Sequence, residues 1–175
     1  TFVINGNCIV EPSKETGKGG QEPLSAMDGW ITGGKIFVGG DLGQLGKEAF
    51  IAGGTSTVYL NGSAKQSVAG TQDFKIQNLV IENTSGEGVF FLTDVQVEES
   101  LSDLNKKAYG QGYAVVSGSD AVENGIFGGN LKITEAETLV RDLEIGGSLY
   151  IENTFKLNGH SVSAGGSLIV GESGS

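Results

Sequence analysis

Residues 55–101 read TSTVYLNGSAKQSVAGTQDFKIQNLVIENTSGEGVFFLTDVQVEESL. Five short apolar runs stand in this stretch: Val58–Leu60, Phe74–Ile76, Leu79–Ile81, Val89–Leu92 and Val95–Val97. Each is cut off by Asn, Gly, Ser, Thr, Asp or Gln. Brief runs of β-branched and aromatic residues between turn formers are the signature of short strands. Alternation puts Val58 and Leu60 on one face and Tyr59 on the other, and sets Leu79 and Ile81 against Val80. Strands this short are not stable alone, so they must be stacked on something.

The same rhythm extends outward from this stretch. Phe2 to Val10 reads as two short strands around Asn5-Gly6-Asn7. Residues 11–31 are predicted to leave the body of the fold as a loop: 11–21 are polar with Pro12, Gly17, Gly19 and Gly20, and 22–31 carry Pro23, Leu24, Met27 and Trp30, which would suit a cover over an edge or end of the sheets. Lys35–Val38 lies between glycine pairs, and Phe50-Ile51 is followed by Gly53-Gly54. Residues 98–112 break the rhythm. Leu101, Leu104 and Ala108 share a helical stripe, which predicts an irregular or short helical excursion there. Beyond it Tyr113–Val116 and Ile126-Phe127 resume the strands. The clearest repeat is C-terminal: Gly146-Gly147-Ser148-Leu149 returns as Gly165-Gly166-Ser167-Leu168, 19 residues on. Ile81-Glu82-Asn83-Thr84 is echoed at Ile151–Thr154, and Leu60-Asn61-Gly62 at Leu157–Gly159. Asn61, Asn78, Asn83, Asn153 and Asn158 fall where left-handed turns and stacked amide ladders are expected.

Coiling such a chain so that each rung lies on the last pairs every backbone group and buries one row of side chains. The expected fold is therefore all-β: one domain over residues 1–175, a single-stranded parallel β-helix of roughly seven or eight rungs. Rungs of about 20–25 residues, about 4.8 Å apart, give a rod roughly 35 Å long. The competing architecture is a β-sandwich, which also uses short strands and turns.

Composition narrows the classes of function. The chain has 175 residues, 30 of them Gly and 2 Pro, with no Gly-X-Y period. Hydrophobic residues make up 38% and charged ones 18%, which argues against disorder. The net charge is −10, and the 11 basic residues are scattered with a single arginine, Arg141. Nucleic acid needs clustered Lys and Arg, so it is a poor partner. No apolar run approaches the roughly 20 residues that span a bilayer, so membrane insertion is not expected. The chain opens directly on a strand, without a visible signal peptide at Thr1, as a cleaved product or a piece of something longer would. Cys8, the sole cysteine, reads as a small buried hydrophobe.

Residues 35–101 also resemble a repeat of large secreted and cell-surface proteins of Gram-positive bacteria. The resemblance is carried by Val38-Gly39-Gly40-Asp41-Leu42, by Val58-Tyr59-Leu60-Asn61-Gly62 with Gln66 and Val68, and by Asn78-Leu79-Val80-Ile81-Glu82-Asn83-Thr84-Ser85 with Gly88-Val89. Leu143 to Val170, with Leu157-Asn158-Gly159-His160, is similar to an element that accompanies such repeats. The resemblance covers about 60% of the chain. It implies a parallel β-helix module of an exported protein and brings no catalytic motif; the segment before Ile31 departs from its pattern.

Little is left over for chemistry. His160 is the only histidine and sits in a turn-like Leu-Asn-Gly-His context, so neither a Ser-His nor a Cys-His pair is indicated. Arg141-Asp142 is the only Arg–Asp neighbour pair a polysaccharide lyase could use. Asp73, Glu82, Asp94 and Glu98 are the carboxylates a glycosidase could draw on. No cofactor fingerprint is present. Calcium is the one ion suggested, by the oxygen-rich loop holding Asp120, Glu123 and Asn124. Tyr59, Tyr109, Tyr113, Tyr150 and Trp30 are the candidate glycan-stacking residues, against a plainer reading as outward packing. Asn61-Gly62-Ser63 and Asn83-Thr84-Ser85 are formal glycosylation sequons.

The expected function is thus a non-catalytic structural module of an extracellular or cell-surface protein. It would serve as a rigid spacer, stalk or filament subunit whose partners are like modules stacked end to end. A glycan-binding or adhesion module is the alternative, and a carbohydrate-active enzyme of β-helix type a further one.

Overall fold

The computed structural model describes residues 1–10, 31–44, 50–70 and 74–171. Its secondary structure is 57% strand and 4% helix. Every strand pairing among the described residues is parallel. The chain is a parallel β-solenoid, and the antiparallel pairing a sandwich requires does not occur among those residues. One sheet stacks nine strands, two others stack five and three, and a last pair forms a fourth sheet. The seven or eight rungs expected fall between about six turns of the coil and the nine strands of its longest sheet.

The strand Phe74–Ile81 shows how the sequence turns a corner. Phe74, Ile76, Leu79 and Ile81 are buried, while Gln77 and Asn78 are both partly exposed. Two outward residues in succession shift the alternation by one, and the pairing register slips at the same place, between Ile76 and Asn78. A matching slip lies between Ala52 and Thr57. Each long strand therefore serves two walls of the coil.

Wall A comprises residues 50–52, 74–76 and 95–97, then Tyr113–Val116, Asn130–Ile133, Leu149–Ile151 and Leu168–Val170. Wall B comprises Phe2–Ile4, residues 36–38, 58–60, 79–81 and 100–102, then the 3-10 turns 119–125, Glu137–Thr138 and Phe155–Lys156. Wall C comprises Cys8–Val10, Leu42–Gln44, Gln66–Gly70, Val89–Phe91 and Ala108–Gly110, then Ile126–Phe127, Leu143–Ile145 and Val162–Ala164.

Side chains facing inward stack into columns that form the core. On wall A the column runs Ile31, Ala52, Ile76, Val97, Val116, Ile133, Ile151, Val170. On wall B it runs Phe2, Ile36, Val58, Leu79, Leu101, Val122. The middle members are buried, whereas Ile31, Phe2 and Val170 at the open ends are not. Val58, Leu60, Leu79 and Ile81, which alternation groups on one face of their strands, are all buried.

The structure corrects three expectations. Residues 98–112 hold no helix: Val95–Ser102 is a strand, a turn follows, and Ala108–Gly110 is the next strand. Leu101 and Ala108 are buried on two different strands and Leu104 is exposed between them, so their helical spacing is coincidental. The Leu-Asn-Gly echo does not share a turn either: Asn158 and Gly159 have left-handed backbones, and Asn61 and Gly62 do not. Of the five named asparagines only Asn158 adopts a left-handed backbone, at φ 51°. The loop predicted over 11–31 falls outside the described residues except for Ile31, which begins the strand Ile31–Val38.

Candidate functional sites

The polar residues at the corners between walls make a set of rung-to-rung clamps. Asn7 Oδ1 accepts the Asp41 N–H at 2.8 Å, and Asp41 Oδ1 accepts the Ser67 N–H at 2.7 Å. At the corner leading into wall A, Asp94 Oδ1 accepts Tyr113 N–H (2.9 Å) and Asn130 Oδ1 accepts Ser148 N–H (2.8 Å). Ser148 Oγ then accepts Ser167 N–H at 3.1 Å. Asp142 Oδ1 does the same for Ser161 N–H at 2.8 Å, which holds the Asp142 carboxyl below its usual range. Corner N–H groups lie outside the sheet ladders, and each clamp satisfies one from the neighbouring rung. Sequence reading missed this role. The signal was present as an Asn, Asp or Ser directly before an inward apolar residue.

Several polar side chains are buried inside the coil, Gln66 and Asp103 among them. Gln66 is fully buried: its Nε2 donates to the carbonyls of Val38 (2.8 Å) and Gly40 (2.6 Å), and its Oε1 accepts from Gly62 N–H and Asn83 Nδ2. All four bonding positions of that amide are used. Asp103, also fully buried, stands next in line after Leu60 and Ile81 on wall B. Its carboxylate accepts the N–H groups of Lys107 (2.7 Å), Ala108 (3.0 Å) and Gly128 (3.0 Å). Desolvation raises its pKa, against the lowering effect of those three bonds. Both groups are enclosed and tie adjacent rungs together.

The aromatic candidates do not share a surface. Tyr59 lies outward on wall B, stacked on Phe37 at 4.4 Å between ring centroids, with Lys35 Nζ 5.5 Å from its ring. Tyr109 is on wall C, tilted against Phe90 at 5.0 Å. Tyr113 begins a wall-A strand. Tyr150 lies further along that wall beside Lys132, whose Nζ is 5.4 Å from its ring. Lys132 also bonds Glu152 at 2.6 Å, which raises its pKa. Tyr59, Tyr109 and Tyr150 each pack along the coil axis on a neighbour one rung away. Trp30 lies outside the described residues.

Asp120 is exposed on the first 3-10 turn, and Glu123 and Asn124 are exposed on the second, Asn124 with φ 56°. The turns bury Ala121 and Val122 and so close wall B at this rung. Among the described residues no group of three or more His, Cys, Asp or Glu side chains is placed to hold a metal ion. Asn83, the second sequon, is buried, whereas Asn61 is exposed.

The remaining chemical candidates are scattered. Cys8 is on the first wall-C strand, and His160 lies two residues before the start of the last. Seven strand spacings separate those strands, roughly 34 Å. His160 closes the turn from Leu157, and its Nδ1 lies 3.5 Å from Asp142. Glu98 and Glu135 line an open polar groove of about 320 Å³ with Gln96, Val115, Ser117 and Thr134. They stand two rungs apart at the A–B corner, about 10 Å, at or beyond the upper end of glycosidase carboxylate separations. Asp94 is engaged as a clamp, and Asp73 lies outside the described residues.

The two ends of the coil are its least satisfied surfaces. Phe2, Leu168 and Val170 belong to inward positions yet are 64%, 56% and 58% exposed. Their in-register partners Leu149 and Ile151 are fully buried, and Ile36 nearly so. Comparison of the chain with protein-family models, with curated proteins and with solved structures finds no match.

Proposed function

We propose that this chain is a non-catalytic structural module of an extracellular or cell-surface protein, a rigid spacer, stalk or filament subunit that joins its neighbours end to end. The observation that carries this reading is the continuous parallel ladder, filled along its length by columns of buried apolar side chains. A parallel coil leaves unpaired N–H and C=O groups at its first and last rungs, and such edges invite pairing. The mechanism is mechanical. Nine strands in one ladder, clamped at two corners and filled with stacked apolar columns, resist bending and local opening. The extracellular placement rests on the likeness of residues 35–101 to bacterial surface repeats.

The reading is tested by shape and by resistance to protease. Small-angle scattering is expected to give an elongated particle with a rod axis of roughly 38 Å, eight strand spacings. Limited proteolysis is expected to leave residues 74–170 uncut. A compact sphere, or rapid cleavage within wall A, would defeat it.

A further inference from the structure

The wall-A ladder opens at a corner in the middle of the coil. Thr134 N–H donates to the Val116 carbonyl (3.1 Å), Glu152 N–H to that of Ile133 (2.9 Å) and Gly171 N–H to that of Ile151 (2.7 Å). Each bond runs from the residue after the inward column to the column carbonyl one rung below. The preceding member of this series would join Ser117 N–H to the Val97 carbonyl. It is not formed, and pairing of those two strands ends at Val115 and Gln96. The cause is a change in how the corner is built. Val95–Ser102 runs through it as one strand, whereas Tyr113–Val116 stops and its chain turns away into the 3-10 turns 119–125.

The two strands part at the open polar groove of about 320 Å³. Val97 and Val116 bury their side chains, so they border the groove through their backbones. Gln96, Glu98, Ser117, Thr134 and Glu135 are exposed or half-buried around it. Glu98 and Glu135 have no ion-pair partner among the described residues, and Lys132, in the strand before Thr134, is held by Glu152.

We propose that this notch binds a neutral oligosaccharide. A hydroxyl both donates and accepts, so one sugar hydroxyl can close the interrupted pair, accepting from Ser117 N–H and donating to the Val97 carbonyl. Its neighbours on the ring meet the Gln96 amide, the Ser117 and Thr134 hydroxyls and the two carboxylates, while Val115 offers an apolar floor to the C–H face. The sign of charge sets the class. Glu98 and Glu135 stand about 10 Å apart across the notch and repel an acidic sugar, yet accept bonds from uncharged hydroxyls. An extended peptide is a poorer fit, because it recognises a row of open backbone groups and a single pair is open here. This site is independent of the mechanical reading above.

Nuclear magnetic resonance of the native chain tests the site at the backbone itself. Cellotriose, mannotriose and the N-acetylglucosamine trimer are the neutral probes, and a galacturonic acid trimer is the acidic one. At least one neutral probe should shift two amides in a saturable way: Ser117, and Glu98, whose nitrogen shares a peptide group with the Val97 carbonyl. The same probe should slow hydrogen exchange at Ser117, and the acidic trimer should leave both amides in place. In Gln96→Ala/Thr134→Ala the affinity should fall about tenfold with an unchanged circular dichroism spectrum. The proposal is overturned if no neutral probe moves the Ser117 amide, or if the acidic trimer moves it equally. A neutral glycine–serine peptide that moves it at lower concentration than any sugar also overturns it, as does an unchanged affinity in the double variant. Scattering and proteolysis decide the structural module separately, so either reading can fail while the other stands.

Discussion

The two halves of this coil solve the same stacking problem in different ways. Over residues 31–102 the rungs are long. Ile36, Val58, Leu79 and Leu101 follow one another at steps of 22, 21 and 22 residues. Walls A and B are one bent strand of 8 to 11 residues, and the ladder crosses the corner. Over residues 113–170 the rungs are short. Ala114, Leu131, Leu149 and Leu168 follow at 17, 18 and 19. The walls there are separate strands of 2 to 4 residues. A long strand holds its neighbour through the backbone ladder. A short one has few ladder bonds, so corner side chains such as Asn130, Ser148 and Asp142 contribute a larger share of what fixes each rung. The halves meet where Asp103 follows the apolar Leu60 and Ile81 in the second inward row of wall B and the 3-10 turns 119–125 replace a strand.

The largest effect is expected at that junction. Asp103→Ala leaves the N–H groups of Lys107, Ala108 and Gly128 buried without an acceptor. At about 1–3 kcal/mol for each orphaned group, not fully additive, the loss is about 3–5 kcal/mol. In a stacked protein stability is a sum of rung and interface contributions, so weakening one interface should uncouple the blocks. Urea unfolding followed by circular dichroism should change from one transition to two. A single transition with an unchanged slope would show that the halves are not separately cooperative.

Glycine substitutions should separate the corner designs next. Gly146 and Gly165 lie on the C–A corner, one above the other. A methyl on either would drive into the carbonyl oxygen of the glycine one rung below, Gly128 or Gly146. Gly146→Ala is expected to cost about 2–3 kcal/mol through backbone displacement. Gly53, at the A–B bend of the long-runged half, has nothing within 4 Å of where a Cβ would stand and has no left-handed φ. Gly53→Ala should be neutral or stabilise by up to about 1 kcal/mol. Thermal melts of the two variants decide between these outcomes, and equal losses would erase the distinction.

A clamp residue should matter less than either. Asn130→Ala removes the acceptor for Ser148 N–H and a donor to the Gly110 carbonyl, both part-buried, for about 1–2 kcal/mol. Asn130→Asp keeps the acceptor and should recover most of the protection of the Ser148 amide in hydrogen exchange. If the Ser148 amide exchanges no faster in the alanine variant, the clamp contributes nothing.

The same contrast explains what could be read from the sequence. The Gly-Gly-Ser-Leu repeat is visible because rungs of nearly constant length return the same corner to the same place. Gly128-Gly129-Asn130-Leu131 is a third copy of it, hidden by one substitution, Asn for Ser. In the long-runged half the apolar triplets were legible, but the steps on wall C vary from 26 between Leu42 and Val68 to 19 between Val89 and Ala108. Turns of different length there erase any fixed period while the columns stay aligned. Asp103 was not legible at all. A lone acidic residue in Ser-Asp-Leu-Asn looks like a solvated turn, and only the convergence of three N–H groups from two rungs explains its burial. The tyrosines misled for the opposite reason. Alternation placed them outward correctly, but outward positions on a coil are divided among three walls, so four rings did not make one platform.

The smallest effects, and the most discriminating in sign, come from two aspartates on either side of this divide. Burial raises Asp103, so the folded chain keeps that proton over a pH range in which the unfolded chain has lost it. Stability from this group is therefore greatest below the ordinary carboxyl value of about 3.9 and declines as pH rises through the folded value. Asp142 is exposed, and the Ser161 N–H holds it down, with the Ser161 side chain and His160 adding to the effect. Its contribution is present above the ordinary value and is lost as pH falls through the lowered one. Melting temperatures of the native chain, Asp103→Asn and Asp142→Asn between about pH 2 and 6 should show this. The gap between native and Asp103→Asn is expected to narrow as pH rises, while the gap to Asp142→Asn widens and then levels. Salt should shrink only the second, because Asp142 is open to screening and Asp103 is enclosed by the coil. Parallel trends in both variants would mean that the two carboxylates feel the same environment, contrary to the difference between a junction buried inside the coil and a clamp on its corner.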